Sequence, residues 1–299
     1  MKAVVTGGAG FIGSHLVEKL VAKKYEVIVL DNLSTGNLKN LKKVKNKIKF
    51  IKYDLLKIKK LKQIFDGANY VFHLAGLSKT LESIKKPKKY YKTNVVGTLN
   101  ILMACKNTRL KKFIYSASAS CYGNPKNIPT SENSKINNLT PYAFTKWKAE
   151  QLVINKSKKK NFPAISLRLF NVYGQRSLAN SSYSSVISIF LKLKNKNKPL
   201  TIFGNGKQTR DFIHVSDVAD IMIKSAESNI YNGIFNIGSQ MSVSINKIAT
   251  IFKSKIKYLP SRKGEPTHSK ANIIKIKKKL KWKPKISINK GIKLLIKST

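Results

Sequence analysis

The sequence contains few cysteines, few acidic residues and few arginines, and it has no long run of uncharged apolar residues. Its two cysteines, Cys105 and Cys121, are too few for a disulfide framework or a four-ligand metal site. A membrane-spanning helix needs about 20 consecutive apolar residues, and the sequence offers no such run. These absences exclude a disulfide scaffold and argue against insertion into a membrane.

The first residues of the chain show no targeting signal. Residues 1–6 are strand-like and lead directly into glycines, without the apolar segment and small-residue cleavage site of a secretory signal. We therefore expect a cytoplasmic protein. We also expect no metal, because His73 and His214 lie in apolar runs that are typical of core positions.

The charge balance is strongly positive. Of the 299 residues, 59 are Lys or Arg and 13 are Asp or Glu, which gives a formal net charge of +46. An excess of this size favours binding to nucleic acids or other polyanions. However, only five of the basic residues are arginines, and the lysines are spread over the whole chain together with many Asn and Ile residues. We interpret this pattern as a compositional bias and expect no specific nucleic-acid partner.

Short apolar segments typical of strands alternate with segments typical of helices through the first half of the chain. The predicted strands are 2–6, 26–30, 48–53, 70–74, 112–116 and 164–170, and the predicted helices are 11–22, 90–105 and 141–157. Hydrophobic residues make up 42% of the chain, which is enough for a sizeable core. The βαβ alternation predicts an α/β protein with a doubly wound parallel sheet.

After residue 171 the alternation becomes less regular. The predicted elements are helices near 182–193 and 215–228, a strand at 234–237, and two lysine-rich helices towards the C-terminus. No linker-like segment separates the two halves. We therefore predict a cofactor-binding domain over 1–170 and a smaller, partly interleaved substrate-binding lobe over 171–299. Segments near 204–240 are expected to return to the first domain.

A glycine-rich turn lies between the first predicted strand and the first predicted helix. Gly7, Gly10 and Gly13 recur at every third position, and Phe11 and Ile12 lie at the start of the helix. Glycines here allow a tight turn and close approach of the backbone to a pyrophosphate, which the helix N-terminus attracts. A simple packing turn is the alternative, so the interpretation depends on the residues that follow.

An acidic residue, Asp31, ends the second predicted strand. A carboxylate there can accept hydrogen bonds from both hydroxyls of an adenosine ribose and repels a 2′-phosphate, which favours NAD over NADP. A cap or turn residue is the alternative role for Asp31, and Asp54 is placed either for the adenine or as a loop cap. The other candidate cofactor residues along these strand ends are Asn32, Leu55, Leu74, Ala75 and Gly76.

A tyrosine and a lysine form the candidate catalytic pair. Tyr142 and Lys146 stand four residues apart on one predicted helix, so their side chains project from the same face. An ammonium group beside a phenol favours the phenolate, which can act as a general base toward a sugar hydroxyl. This spacing is also common on surface helices. The hydroxyl-rich segment 115–123, which contains Ser118 and ends a predicted strand, supports the catalytic interpretation.

These motifs, in this order, resemble the extended short-chain dehydrogenase/reductase family, and within it the nucleotide-sugar epimerases of the UDP-glucose 4-epimerase type. The resemblance covers nearly the whole chain through the glycine motif and the segments 72–76, 94–98, 118–123, 142–146, 168–174, 204–212, 262–266 and 282–284. It implies a Rossmann fold, tightly held NAD, and a nucleotide-sugar substrate.

The same resemblance implies roles for single residues. Ser118 would bond the substrate 4-hydroxyl, Tyr142 would be the acid/base, and Lys146 would hold the nicotinamide ribose while lowering the pKa of Tyr142. Asn94 falls in a motif of the cofactor site. Asn171 would contact the diphosphate.

Two of the rare arginines also fall in family motifs. Arg210 and Arg262 lie where the family binds the nucleotide diphosphate, and the planar guanidinium group suits bidentate phosphate contacts. Ser269 falls at the position that gates the sugar pocket, and a small residue there implies that an N-acetyl sugar is accepted.

The residues beside the catalytic serine indicate the reaction. Relatives that eliminate water or lose carbon dioxide tend to carry a carboxylate there, whereas segment 118–120 reads Ser-Ala-Ser. The resemblance therefore implies inversion at C4 of a UDP-hexose (UDP-Glc/UDP-Gal or UDP-GlcNAc/UDP-GalNAc) through a 4-keto sugar. A 4-keto-reductase, or an epimerase of another nucleotide sugar, is the alternative. A non-catalytic module that binds polyanions is the alternative from another class.

Helices 90–105 and 141–157 correspond to those that pair across a two-fold axis in similar enzymes. The resemblance therefore also implies a homodimer. Both helices carry lysines, whose charges are unfavourable in a buried helix–helix interface, so the dimer is an expectation to be tested directly.

Overall fold

The computed structural model describes the chain over 1–105, 110–158, 162–177, 185–261 and 268–298. The strands are β1 (Lys2–Thr6), β2 (Glu26–Asp31), β3 (Ile48–Lys52), β4 (Tyr70–His73), β5 (Lys112–Ser118), β6 (Ala164–Leu169), β7 (Asn171–Tyr173), β8 (Leu200–Phe203), β9 (Thr209–His214), β10 (Asn232–Ile237), β11 (Ser242–Ser244) and β12 (Ile256–Leu259). The α-helices are α1 (Phe11–Ala22), α2 (Leu61–Phe65), α3 (Thr80–Lys85), α4 (Pro87–Tyr91), α5 (Gly97–Ala104), α6 (Pro141–Lys158), α7 (Val186–Asn195), α8 (Val215–Ala226), α9 (Ile245–Phe252), α10 (Ile274–Leu280) and α11 (Ile288–Lys297).

Seven strands form a central, mostly parallel sheet in the order β10-β6-β5-β4-β1-β2-β3. β1 pairs in parallel with both β2 and β4, β2 with β3, and β4 with β5. Strands of such a sheet are covered on both faces, and the almost continuous burial of β1, β2 and β6 reflects their runs of apolar residues. The strand order reverses between β1 and β4, which is where ligands bind in sheets of this kind. The predicted doubly wound Rossmann fold is confirmed.

Two helices that carry candidate residues begin where the sequence predicts. Helix α1 spans the predicted range, with Gly10 as its N-cap. Helix α6 starts at Pro141, and the hydroxyl of Thr140 accepts a hydrogen bond from the Ala143 N–H at 3.2 Å. No helix in the described ranges is long and apolar enough to cross a membrane.

The predicted helix 90–105 is not continuous. Helix α4 ends at Tyr91, a π-helical turn occupies Lys92–Val96, and α5 follows. A π turn adds one residue to a helical turn and often occurs at functional sites. Asn94 lies within this turn, and its side chain bonds the backbone of Leu77 outside the helix. That long-range contact has no local signature in the sequence.

By compactness the described chain divides into two units. Unit 1 comprises Met1–Cys121, Asn138–Arg168 and Ala219–Phe235. Unit 2 comprises Tyr122–Asn137, Leu169–Val218 and Asn236–Thr299. Each unit has its own apolar core: residues such as Val4, Val71 and Phe113 in unit 1, and Phe190, Phe212 and Phe252 in unit 2. The two units alternate along the sequence.

Unit 2 contains two small sheets. β7 pairs in parallel with β9, which pairs antiparallel with β11, and β8 pairs in parallel with β12. The helix predicted near 182–193 is present as α7, and 178–184 lie outside the described residues. The two predicted C-terminal helices are present as α10 and α11.

Candidate active site

The glycine turn joins β1 to α1. Gly7 has a φ of +69°, and its N–H donates to the Leu30 carbonyl at 2.8 Å. A Cβ at Gly7 would lie 2.7 Å from the Ala75 nitrogen, and a Cβ at Gly13 would lie 2.8 Å from the Gly8 Cα. Both positions require glycine, because any side chain would collide with backbone atoms.

The N-terminus of α1 is suited to a phosphate ligand. Gly10 provides no side-chain cap, and Phe11 and Ile12 belong to the first turn, whose N–H groups have no partner within the helix. Such donors, together with the helix dipole, attract phosphate. A Cβ at Gly10 would meet only the Gly7 oxygen within 4 Å, at 3.1 Å, so space remains above the turn. The turn therefore fits the pyrophosphate of a dinucleotide.

Asp31 ends β2 with its carboxylate against the glycine turn. Its Oδ2 accepts from the Ala9 N–H at 3.0 Å, and its Oδ1 accepts from the Leu33 N–H at 2.8 Å. Burial raises the pKa of Asp31, and these two donors act in the opposite direction. Asp31 is therefore a turn residue, and each carboxylate oxygen retains accepting capacity for a ribose hydroxyl.

The residues that follow β2 and β3 are held together by side-chain contacts. Asn32 Nδ2 donates to Asp54 Oδ2 at 3.0 Å, and Asp54 Oδ1 accepts from the Leu56 N–H at 2.9 Å. Leu55 is buried, and its carbonyl accepts from the Asn100 amide at 2.9 Å. Asp54 thus caps its loop, and a contact to the adenine stays a prediction.

The segment after β4 lies against the glycine turn. The Leu74 N–H donates to the Thr6 carbonyl at 3.1 Å, and the Ala75 N–H donates to the Thr6 hydroxyl at 3.3 Å. Gly76 faces Asn94, because a Cβ at Gly76 would lie 3.0 Å from Asn94 Oδ1. Small residues in this segment permit these close approaches.

Asn94 connects this segment to the candidate catalytic helix. Its side chain is buried, accepts from the Leu77 N–H at 2.8 Å, and donates to the Leu77 carbonyl and the Thr145 hydroxyl, each at 3.1 Å. Both amide protons are therefore used within the protein. A direct contact between Asn94 and the cofactor stays a prediction.

Ser118 and Tyr142 are in direct contact. The Ser118 hydroxyl hydrogen-bonds the Tyr142 phenol, and Ser118 Oγ also accepts from the Ser120 N–H at 3.2 Å. The Tyr142 N–H donates to the Ser83 hydroxyl at 3.0 Å, which fixes the start of α6. The structure thus brings together the serine at the end of β5 and the tyrosine of α6.

Lys146 lies one helical turn after Tyr142 and is buried. Its Nζ donates to the Ser116 carbonyl and lies 4.4 Å from the centre of the Tyr115 ring. Burial lowers the pKa of Lys146 to about 7, and the nearby carboxylate of Glu150 acts in the opposite direction. Lys146 can therefore change its charge near neutral pH.

The pKa of Tyr142 is shifted in the direction opposite to the expected one. The resemblance implies a lowered value, whereas burial raises the pKa of Tyr142 and the hydrogen bond from Ser118 offsets this only in part. The ammonium group of Lys146 is engaged by Ser116 and Tyr115. In this arrangement the desolvation of the phenolate therefore dominates.

Three candidate substrate residues lie together in unit 2 around β9. Asn171 Nδ2 donates to the Asp211 carbonyl at 3.1 Å, and the Ser269 N–H donates to the Thr209 carbonyl at 3.1 Å. Arg210 lies between Thr209 and Asp211 on β9, and its Nη1 donates to the same Thr209 carbonyl at 2.9 Å. Their contacts with a nucleotide sugar stay predictions.

Asp211 organises this region although the sequence does not single it out. Its buried carboxylate accepts from the Ser239 N–H at 2.6 Å, the Ser239 hydroxyl at 2.7 Å, the Gln240 N–H at 3.0 Å and the Ala271 N–H at 2.9 Å. These partners come from distant segments, so Asp211 fixes the surroundings of Arg210. Only the burial and the long-range partners reveal this role.

The remaining predictions concern Arg262 and a metal. Arg262 lies outside the described residues. Within the described ranges, no three His, Cys, Asp or Glu side chains are grouped as metal ligands. His73 is a buried core residue, as predicted.

The fold and the site together define a nucleotide-cofactor enzyme of the Rossmann type. A parallel sheet carries a glycine turn at its first strand and an acidic residue at the end of its second. The NAD dependent epimerase/dehydratase family matches residues 3–238, and the chain belongs to this family. NAD is therefore its cofactor.

Relatives of known sequence include epimerases and decarboxylases. The chain is 36% identical to a Methanocaldococcus jannaschii protein provisionally named UDP-glucose 4-epimerase, over 98% of this chain and 96% of that protein. It is 32% identical to UDP-glucuronic acid decarboxylase 1 of Arabidopsis thaliana, over 99% of this chain and 69% of that protein. Sequence identity of this order does not separate the two reactions.

Solved structures agree closely with this fold. A UDP-glucose 4-epimerase of Thermotoga maritima with UDP-glucose has a TM-score of 0.94 at 33% identity, covering 99% of this chain and 98% of that one. A UDP-N-acetylglucosamine 4-epimerase of Methanobrevibacter ruminantium has a TM-score of 0.93 at 34% identity, covering 100% and 99%. A UDP-glucuronic acid 4-epimerase of Bacillus cereus with NAD has a TM-score of 0.91 at 31% identity, covering 100% and 99%.

Proposed function

We propose that this protein is an NAD-dependent epimerase that inverts C4 of a UDP-hexose, either UDP-Glc/UDP-Gal or UDP-GlcNAc/UDP-GalNAc. The observation that carries the proposal is the hydrogen bond between Ser118 and the Tyr142 phenol, with Lys146 one turn away on the same helix. A serine hydroxyl, a phenol and an amine in this relation can move a proton to and from a sugar hydroxyl. The similarity to several UDP-sugar 4-epimerases supports the same reaction.

Each residue of the set has a separate task in this proposal. NAD, when bound, supplies a reversible acceptor for the C4 hydride. Ser118 orients the 4-hydroxyl, and Tyr142 takes its proton during oxidation and returns a proton when the 4-keto sugar is reduced on its opposite face. Lys146 provides the positive charge that stabilises the phenolate. Because burial raises the pKa of Tyr142, this charge is needed at the moment of proton transfer.

The residues around Ser118 favour epimerisation over decarboxylation. Segment 118–121 contains no carboxylate. Glu150 lies one turn after Lys146 on α6, and its carboxylate forms an ion pair with Arg168. A reaction that needs an additional acid/base beside the sugar therefore has no obvious group in these segments.

We further propose that unit 2 binds the nucleotide sugar through Asn171, Arg210 and Ser269, with Arg262 as a further diphosphate ligand. Arg210 offers a guanidinium group for phosphate, and the neighbouring Asp211 carboxylate holds the backbone of Ser239, Gln240 and Ala271. The small, half-buried Ser269 leaves room for an N-acetyl group.

We also infer a homodimer formed through α5 and α6. Leu99 and Met103, one turn apart on α5, are 41% and 49% exposed, and Phe144 on α6 is 41% exposed. Exposed apolar side chains at helical spacing are typical of helix–helix interfaces. Light scattering after size-exclusion chromatography should give twice the chain mass, and Met103→Glu should give the monomer.

The reaction can be tested by NMR of the anomeric signals. Wild-type protein is incubated separately with UDP-Glc, UDP-GlcNAc and UDP-GlcA, with and without added NAD. We expect conversion of UDP-Glc or UDP-GlcNAc to its 4-epimer, and a loss of about 10²-fold or more in Tyr142→Phe.

Other outcomes identify the alternatives. Release of carbon dioxide from UDP-GlcA without epimerisation would indicate a decarboxylase. Activity that consumes added NADH or NADPH in each turnover would indicate a 4-keto-reductase. Undiminished epimerisation by Tyr142→Phe would contradict the assigned role of the phenol.

A further inference from the structure

His73 lies at the centre of a buried hydrogen-bond chain that links the glycine turn to the candidate catalytic helix. Its Nδ1 lies 2.7 Å from the Thr6 hydroxyl, and its Nε2 lies 2.8 Å from the Thr98 hydroxyl. The Thr98 hydroxyl donates in turn to the Asn94 carbonyl at 2.6 Å. His73, Thr6, Thr98 and Asn94 are all at most 2% exposed, so water does not compete for these bonds.

The partners of the two threonines determine which ring nitrogen carries the proton. The Thr98 hydroxyl donates to the backbone carbonyl of Asn94 and also hydrogen-bonds the Tyr115 phenol. With its proton on the Asn94 carbonyl, Thr98 Oγ1 accepts from His73 Nε2. His73 Nδ1 must then accept from the Thr6 hydroxyl, whose oxygen accepts from the Ala75 N–H. A neutral ring with its proton on Nε2 satisfies every member of the chain.

The surroundings of the ring keep it neutral. Burial, and then the positive charge of Lys146, lower the pKa of His73 to about 3. The rings of Phe113 and Tyr115 pack against the imidazole, with centroids at 6.1 and 5.6 Å. The imidazole is therefore neutral near pH 7.

The two ends of this hydrogen-bond chain reach different parts of the candidate site. Thr6 is the last residue of β1 and is followed by Gly7 of the cofactor turn. On the other side, Asn94 donates to the Thr145 hydroxyl, which itself donates to the Tyr142 carbonyl at 3.0 Å. Hydrogen bonds thus connect the glycine turn to the backbone of Tyr142 through His73, Thr98 and Asn94.

We propose that His73 is a positioning residue that sets the placement of the α6 tyrosine relative to the glycine turn, through the π-helical turn between α4 and α5. This inference rests on the proposed function, because it assigns the phenol to proton transfer beside the cofactor. The competing explanation is that His73 merely satisfies buried polar groups and contributes to stability. That explanation predicts no selective effect on turnover.

The tautomer of His73 can be measured in the wild-type protein. The protein is labelled with ¹⁵N-histidine, and the ring nitrogens of His73 are assigned among the four histidines by comparison with His73→Asn. We expect only the neutral, Nε2-protonated form between about pH 5 and 9. A ring that titrates in this range, or one protonated on Nδ1, would overturn the proposal.

The coupling is tested with isosteric variants. Thr98→Val removes the hydroxyl that receives the His73 proton, Thr98→Ser keeps it, and Ser157→Ala removes a buried α6 hydroxyl without a hydrogen-bond partner as a control. We expect kcat to fall about 10- to 100-fold in Thr98→Val at unchanged KM, and to recover in Thr98→Ser. Ser157→Ala should keep the wild-type kcat.

A further variant, Thr6→Val, probes the end of the hydrogen-bond chain that lies next to the cofactor turn. It should weaken NADH binding, measured by fluorescence without substrate, by about tenfold. If Thr98→Val folds and shows a lowered melting temperature but an unchanged kcat, then His73 has a purely structural role. That result would overturn the inference. If the wild-type protein converts no nucleotide sugar, the proposed function fails, whereas the tautomer and NADH affinity still decide the role of His73.

Discussion

The Lys146 ammonium group lies 4.4 Å from the centre of the Tyr115 ring, inside unit 1. The face of an aromatic ring attracts a cation, and the Ser116 carbonyl accepts one of the ammonium protons. These contacts do not replace full hydration, since burial still lowers the pKa of Lys146 to about 7. Burial in the folded protein therefore destabilises the charged form of Lys146.

The first prediction concerns stability against pH. Lys146→Met should raise the free energy of unfolding at pH 6 by on the order of a few kcal/mol, because Met occupies a similar volume without a charge to desolvate. The gain should shrink between pH 7 and 10.5, the folded and ordinary pKa values. In this window the unfolded lysine binds a proton that the folded one does not, so the wild-type protein gains stability as pH rises.

Urea denaturation at pH 6, 7.5 and 9 measures this effect. Lys148→Met, two residues along the same helix at an exposed position, is the control and should change stability little at any of these pH values. Equal stabilisation by Lys146→Met at all three pH values would refute the assigned pKa. The proposed epimerase activity should be lost in Lys146→Met and kept in Lys148→Met.

The second prediction concerns cofactor choice. Asp31→Asn should weaken NADH binding about tenfold and reduce the preference for NADH over NADPH, because an amide no longer repels a 2′-phosphate. Fluorescence titration with both cofactors gives the ratio of the two affinities, which is insensitive to a general loss of stability. Asp66→Asn changes an exposed carboxylate and should leave the ratio unchanged. An unaltered ratio in Asp31→Asn would leave this residue only its contacts with Ala9 and Leu33.

Local patterns were sufficient for much of unit 1. The helix predicted over 11–22 is α1, and the predicted strands match β1 to β6 within two residues at each end. Apolar periodicity and the glycine turn act over a few residues, so they can be read directly from the sequence. Ser118 and Tyr142 were identified differently, by the Tyr142/Lys146 spacing beside a hydroxyl-rich segment and by the family resemblance, and the structure places the two residues in contact.

Features that depend on distant partners could not be predicted in this way. β8 and β12 form a sheet only by pairing with each other, and neither has a strong pattern of its own. Asn94 in the π-helical turn bonds Leu77, 17 residues earlier, and the role of Asp211 depends on Ser239 and Ala271. In each case tertiary contacts, and not local propensity, determine the structure.

The third prediction separates the glycines that the fold requires from the one that the cofactor requires. Gly13→Ala should destabilise the protein by about 3 kcal/mol or more, because the new Cβ overlaps the backbone of Gly7 and Gly8. Gly10→Ala should cost about 1 kcal/mol or less, since Gly10 has a φ of −77° and its Cβ would meet one atom at 3.1 Å.

NADH affinity should rank the two variants differently from stability. Gly10→Ala should remain folded yet bind NADH about tenfold more weakly, because its methyl group projects into the space above the turn. Thermal melts without cofactor and NADH titrations give the two quantities independently. A Gly10→Ala variant with wild-type NADH affinity would show that the pyrophosphate does not approach this residue.

The fourth prediction concerns the buried ion pair between Glu150 of α6 and Arg168 of β6. Arg168 Nη2 lies 2.6 Å from Glu150 Oε2, the two side chains are 4% and 1% exposed, and the Ser166 hydroxyl donates to the same carboxylate at 2.7 Å. Glu150→Gln should lower the free energy of unfolding by about 3–5 kcal/mol, because it leaves a buried guanidinium without its counter-charge. Asp220→Asn breaks the pair with Lys19, where the side chains are 37% and 31% exposed, and should cost about 1 kcal/mol or less.

A double variant distinguishes the loss of an attraction from the burial of an unpaired charge. Glu150→Gln combined with Arg168→Met removes both charges, so it should be less destabilised than Glu150→Gln alone. Urea denaturation of the single and double variants at pH 7 measures the difference. If the double variant is destabilised by the sum of the single effects, the two side chains contribute independently, and the desolvated arginine is not the cause of the instability.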